Sequence, residues 1–234
     1  MPELPPPLPP GERTVGQLIA ETIRAYGAGF WRLLPLGLPL AIVDQLSVRE
    51  ASRMQMLVYW AATPLFVAAY VWACKVVLRV RPTKVAVGVA VLIYLPFPAL
   101  RAVFILPGLA WFALIGLAVP AAMSEGLGFR AALVRGRWLG TADYVHALGS
   151  LAALVVVVGV AADTLGALLH TQGDNGRRLA VFLSEVVLSP MLYLGGALLY
   201  VDQAARVVGF RGDGALHPPV DPEPARGSDA QIES

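Results

Sequence analysis

Asp143, His146 and Ser150 stand three and four positions apart, so one face of a helix can carry all three. An acid, an imidazole and a hydroxyl are the parts of a nucleophilic triad, in which the acid orients the base and the base activates the hydroxyl. Nothing else in the chain supports that chemistry. There is no Gly-x-Ser-x-Gly turn to expose a nucleophile and no glycine-rich loop to cradle phosphate. The one cysteine, Cys74, cannot form an intrachain disulfide; it lies in an apolar run, where a thiol behaves as a small hydrophobe. His146, His170 and His217 are far apart and match no metal-ligand spacing. No enzymatic activity, metal or cofactor is expected.

Acids in apolar surroundings are the other source of chemistry, since a charge at the bilayer centre costs about 2.5–3.5 kcal/mol even on insertion scales. Asp44, Asp163, Glu185 and Asp202 stand within or near the ends of apolar stretches, each within reach of an interface. Glu125 closes such a stretch, with Arg130 and Arg135 downstream. A Glu125–Arg135 pair would fix the segment that follows. In that segment Phe129, Leu133 and Trp138 can point inward while Arg130, Arg135 and Arg137 reach phosphates; the charges read first as a topogenic cluster, with anionic lipid headgroups as the alternative partners. Gly136-x-x-x-Gly140 is a small-residue pairing pattern set among these charges.

The elements that position these residues follow from composition. Of 234 residues, 57% are hydrophobic and 15% charged, with a mean hydropathy of +0.65. A soluble domain carries about 25% charged residues and could not hide this much apolar surface. A soluble enzyme, a disordered chain and a nucleic-acid binder are excluded as readings. Met54–Cys74 and Ala102–Ser124 run 21 and 23 residues without a charge. Three further runs, at 85–100, 147–162 and 186–201, are each 16 long. A spanning helix needs about 20 apolar residues, and lipid leaves unpaired backbone no other partner. The expected fold is therefore all-α and polytopic, with six transmembrane helices at about 30–48, 55–78, 84–100, 102–123, 146–168 and 179–201. A re-entrant loop plus one helix over 84–124 would reduce the count to five. Pro64, Pro107 and Pro190 are candidate helix breaks.

Six spans leave 13 of the 18 basic residues on one face and 5 on the other, which places both termini in the cytoplasm. Arginine dominance over lysine and abundant Ala, Val, Leu and Gly suggest a GC-rich bacterial genome, so the membrane expected is a bacterial inner membrane. Amphipathic interfacial helices are expected at about 14–27 and 125–144. Thr14-x-x-Gln17 forms a capping box for the first, in which Val15, Leu18, Ile19, Thr22, Ile23 and Tyr26 fall at three- and four-residue spacings while Gln17, Glu21 and Arg24 face the other way. Residues 1–13, rich in proline, and 209–234, polar and acidic, read as disordered cytoplasmic tails flanking a membrane domain at 14–208.

Several motifs carry a family resemblance. Pro107-Gly108 opens the fourth span, Pro120 stands near its end, and Glu125-Gly126 follows. An amphipathic stretch then holds Ala132, Leu133, Arg135 and Trp138, and Leu198–Arg206 reads LLYVDQAAR, with Tyr200 and Asp202 inside it. These resemble the six-helix membrane domain attached to some bacterial glycerophosphodiester phosphodiesterases, and the stand-alone YciC-type membrane proteins. TVGQLIAETIRAYGAGFWRLLPL, starting at Thr14, is similar to that family's opening helix. Gln203-Ala204 stands where the family more often has Leu-Arg. The resemblance implies an anchoring or partner role without the separate catalytic domain. The expectation is a non-enzymatic structural or partner-binding membrane component. The alternative is a small transporter or lipid-handling protein that uses Glu125 and its arginines.

Overall fold

The structure is a computed structural model that describes residues 9–47, 51–103, 105–168 and 173–214. The described residues form helices and turns, with no strand. In order they are α1 (Val15–Ala28), α2 (Phe30–Leu33), a 3-10 turn (Leu34–Gly37), α3 (Leu38–Ser47), α4 (Ser52–Ala61), α5 (Thr63–Leu78), α6 (Lys84–Tyr94), α7 (Phe97–Val103), α8 (Ile105–Ile115), α9 (Ala118–Ser124), α10 (Phe129–Ala142), α11 (Tyr144–Leu168), α12 (Gly173–Leu188) and α13 (Pro190–Gly214).

The fold is all-helical, and its apolar helices suit a membrane protein. Among the described residues three stretches are long and apolar enough to cross a bilayer: Ile105–Ser124, Tyr144–Leu165 and Arg178–Val208. Two more qualify only as bent pairs, Val15–Ala28 with Phe30–Ser47 at 98° and Arg53–Ala61 with Thr63–Leu78 at 47°. Lys84–Leu100 is apolar but shorter. Three to five candidate spans therefore stand where six were expected. The expected first span breaks at Leu34–Gly37, around Pro35, and the third ends at Tyr94, before Pro96.

Proline chemistry explains these breaks, because each ring removes a backbone donor and crowds the carbonyl four residues back. Pro64 and Pro190 stand at the starts of α5 and α13, as expected. Pro107 likewise lies in the first turn of a helix: α7 ends at Val103 and α8 starts at Ile105, so its missing N–H leaves no intrahelical bond unmade. The break in this stretch falls at Gly116–Leu117, ahead of Pro120. Carbonyls near the breaks find side-chain donors. The Tyr70 hydroxyl donates to Gly116 O at 3.1 Å, and Ser189 Oγ donates to Gly37 O at 3.3 Å. The indole N–H groups of Trp111 and Trp60 donate to Ile93 O and Leu95 O at 3.0 and 3.1 Å. In hydrocarbon no water would replace these donors.

The core lies where α5 packs on α6 and α13 while α6 packs on α9. Tyr70, Cys74, Ala90, Ile93, Ala118 and Leu194 are buried there. The Gly136-x-x-x-Gly140 pattern pairs helices within the molecule. A Cβ at Gly136 would collide with the Ala118 backbone, and one at Gly140 with Ala113 O. α1 carries its expected capping box, with Thr14 N–H donating to Gln17 Oε1 at 2.8 Å. Leu18, Thr22 and Tyr26 face inward, and α1 packs along α13. Residues 9–13, expected as tail, lie among the described residues, and α13 continues to Gly214, past the expected tail boundary. Residues 1–8 and 215–234 of the two tails fall outside the described residues.

Tyr70→Phe keeps the packing and removes the donor to Gly116 O, and is expected to cost about 1–3 kcal/mol. A melting curve in detergent checks this; an unchanged midpoint would mean that the carbonyl is satisfied without Tyr70. Gly136→Leu should lower the midpoint by a similar or larger amount, as overpacking typically costs about 1–3 kcal/mol. Gly149→Ala, where a Cβ meets nothing within 4 Å, should be neutral or stabilising.

Candidate functional site

Two polar clusters form at one end of the bundle, on opposite sides of α13. Tyr200 and Asp202 are two residues apart, about 200° around the helix. Tyr200 faces the α9–α10 connection, and Asp202 faces α11 and the amino-terminal segment.

The first cluster grows from the turn after α9. Gly126 takes φ +63°, a left-handed conformation that favours glycine. The turn reverses the chain, so that α10 brings Arg135 back over Glu125. Arg135 Nε donates to both Glu125 carboxylate oxygens at 3.0 Å. The Tyr200 hydroxyl donates to Glu125 Oε1 at 2.9 Å and stands 2.6 Å from Ser124 Oγ. The Arg135 guanidinium also lies over the Trp138 ring, 4.7 Å from its centroid. Glu125, Arg135 and Trp138 border an open groove of about 610 Å³, which Arg130 and Val134 also line. Arg130 is exposed.

The second cluster is more deeply held. Asp202 is fully buried. Its Oδ1 accepts the Gly11 N–H at 3.0 Å, and its Oδ2 accepts from Arg206 Nε at 2.9 Å. His146 Nε2 stands 3.1 Å from the same Oδ2. The same Nε2 lies 3.3 Å from Arg206 Nη2, so the imidazole sits between the carboxylate and the guanidinium. Arg206 spans the rest of the cluster, with Nη1 on Asp143 Oδ2 at 3.2 Å and Nη2 on the Arg13 carbonyl at 2.7 Å. Asp143 Oδ1 accepts the His146 backbone N–H at 3.1 Å, which caps the start of α11. Gln203 Nε2 donates to Asp143 O at 3.3 Å.

The catalytic parts at 143, 146 and 150 are not assembled as a triad. The His146 ring turns to Asp202, and Ser150 Oγ is buried with no hydrogen-bond partner among the described residues. Glu125, Arg135, Trp138 and Tyr200 come together, with Arg130 on the same groove. Asp202 belongs to the neighbouring cluster. Pro107 and Gly108 lie apart from both: Gly108 is buried beside the Phe97 ring, near the opposite end of the α8–α9 stretch from Glu125. Asp163 is exposed on α11, and Asp44 is half-buried on α3. Sequence reasoning missed the roles of Gly11, Arg13 and Arg206. The i, i+4 spacing of Asp202 and Arg206 is a visible signal for a pair. Their contacts to residues 11, 13, 143 and 146 are long-range and leave no such trace. Among the described residues no group of three or more His, Cys, Asp or Glu is placed to hold a metal ion.

No protein-family model, no curated protein and no solved structure matches the chain.

The two clusters predict a ranking. Asp202→Ala strands Arg206 and His146 in a buried setting and is expected to cost about 3–5 kcal/mol. Glu125→Ala, whose pair is partly solvated, should cost only about 1 kcal/mol. Thermal melting of both variants in the same detergent checks the order, and equal losses would contradict it.

Proposed function

We propose that the chain is a multi-pass protein of the bacterial inner membrane with both termini in the cytoplasm. In this reading it serves as a non-enzymatic structural or partner-binding component and is related to the YciC-type and phosphodiesterase-linked membrane domains. Six crossings follow if each bent pair is one span and Lys84–Leu100 is counted. The observation that carries the reading is the use made of the reactive side chains. Asp143, His146, Asp202 and Arg206 bind one another and the backbone of Gly11 and Arg13, and they join the segment ahead of α1 to α11 and α13. Glu125, Arg135 and Tyr200 likewise join α9, α10 and α13. Groups engaged in this way set geometry, as buried polar groups do in membrane bundles.

The lipid-handling alternative has one observation in its favour. The groove at Glu125, Arg130, Arg135 and Trp138 combines arginines with apolar Leu127 and Val134, a chemistry that suits an anionic headgroup with its chain. Lipid that co-purifies with the wild type and is lost on Arg130→Ala would favour that reading.

Topology can be read by cysteine labelling, because the only native cysteine, Cys74, is buried. On a Cys74→Ala background, cysteines placed at Gly128 and at the carboxyl terminus should react only after the membrane is opened from the cytoplasmic side. One at Arg53 should react with an impermeant reagent on intact spheroplasts. Gly128 labelling in intact spheroplasts would overturn the orientation. Cross-linking in native membranes tests the role: a reproducible protein neighbour supports it, and a monomer that carries only bound lipid contradicts it.

A further inference from the structure

The connection between α5 and α6 carries charge that the molecule itself does not answer. Residues 75–84 read KVVLRVRPTK, four cations in ten positions with no acid. No Asp or Glu occurs between Glu50 and Glu125. Lys75, Arg79, Arg81 and Lys84 are exposed. Among the described residues none of their side chains has an ion-pair or hydrogen-bond partner. Arg79 also bears a backbone cost. It closes α5 at φ 56° and ψ 31°, the left-handed conformation that a helix end usually gives to glycine or asparagine. An arginine here gives up backbone stability, and no contact of its side chain within the molecule offsets the loss.

Exposure along the two helices sets a depth. On α5, Trp72 and Val76 share one face and are exposed; on α6, so are Val87 and Val91. Toward the connection, exposed side chains change from apolar to cationic on both helices. That is the order of a charged headgroup layer over hydrocarbon. α10 adds a fifth cation. A Cβ on Gly88, one turn after Lys84, would stand 3.6 Å from Phe129 Cε2, so the start of α10 lies beside α6. Arg130 follows Phe129, is exposed, and likewise has no side-chain partner among the described residues.

Free cations over an exposed apolar strip complement one kind of ligand in both parts. A zwitterionic lipid would cover the strip and leave the net positive charge unanswered. A soluble polyanion would meet the cations and leave the strip bare. We propose that the α5–α6 connection, with Arg130 beside it, is a binding site for anionic phospholipid. The headgroup meets Arg79, Arg81 and Lys84, and the acyl chains lie along Val76 and Val87. The site rests on the membrane reading above and adds to it a lipid class and residues outside the Glu125 groove.

The test uses the full chain on the Cys74→Ala background in phosphatidylcholine vesicles. A bimane label is attached to a cysteine at Val76, or at Val160 on α11 as a remote exposed reference. Quenching by brominated phosphatidylglycerol and brominated phosphatidylcholine gives the relative local binding of the two lipids. At Val76 phosphatidylglycerol should be preferred about fivefold, the factor that one cation near an anionic surface supplies, and high salt should weaken the preference. At Val160 the two lipids should quench alike. Arg79→Gly relieves the left-handed backbone; it should lower the preference while raising the melting midpoint in detergent. Replacing Lys75, Arg79, Arg81 and Lys84 together by Gln should abolish the preference. Equal quenching by the two lipids at Val76 in the wild type, as charges acting only in topology would give, would overturn the site alone. So would a preference that persists in the folded fourfold variant. Absence of quenching by either lipid at both positions would overturn the membrane reading together with the site. If the fourfold variant does not fold, Arg79→Gly and the salt dependence decide the matter.

Discussion

The structure depends on a buried charge that is answered from three distant places in the chain. Asp202 has no exposure, and an unpaired carboxylate in such a position would be several kcal/mol out of balance. It is balanced by the Gly11 N–H, by His146 and by Arg206. Arg206 in turn holds Asp143 and the Arg13 carbonyl. The start of the described chain, the α10–α11 junction and the last helix are thereby tied at one end. The Glu125–Arg135–Tyr200 cluster repeats the device on the other side of α13. With both in place, α10 is held at an angle that keeps Arg130 and Trp138 on an open groove.

The rest of the bundle follows a related rule. Prolines break the apolar stretches, and side chains from neighbouring helices supply donors to carbonyls around the breaks. Tyr70, Trp60, Trp111 and Ser189 do this at four places. The breaks and their donors therefore belong to one arrangement. In lipid a broken helix leaves carbonyls that neighbouring side chains must satisfy, and in this packing a cavity remains that Glu185 helps to line. The polar residues of this chain are few, and most act on geometry.

Much of this was legible in the sequence, and what was not has physical causes. Hydropathy located the apolar segments, since the cost of exposing apolar surface is a local property. The capping box at Thr14 and the Glu125–Arg135 pair were readable because their partners are close in sequence. Span length was less legible. A run of apolar residues does not reveal where a helix ends, and the stretch from Ala102 to Ser124, uncharged throughout, is divided at Gly116–Leu117, ahead of Pro120. The charged setting of Gly136-x-x-x-Gly140 obscured a real helix pairing, because charges on one face say nothing about the other. Apart from Arg206, the partners of Asp202 lie roughly 60 and 190 positions away and come together only through the packing of α1 and α11 against α13.

The central claim is that Asp202 anchors the amino-terminal segment to the last helix. Hydrogen–deuterium exchange at the Gly11 amide tests it most directly, with the folded wild type compared to Asp202→Asn in the same detergent. The account predicts a protected Gly11 amide in the wild type that becomes fast-exchanging in the variant, while amides within α5 stay protected. A Gly11 amide that exchanges at the unprotected rate in the wild type would contradict it.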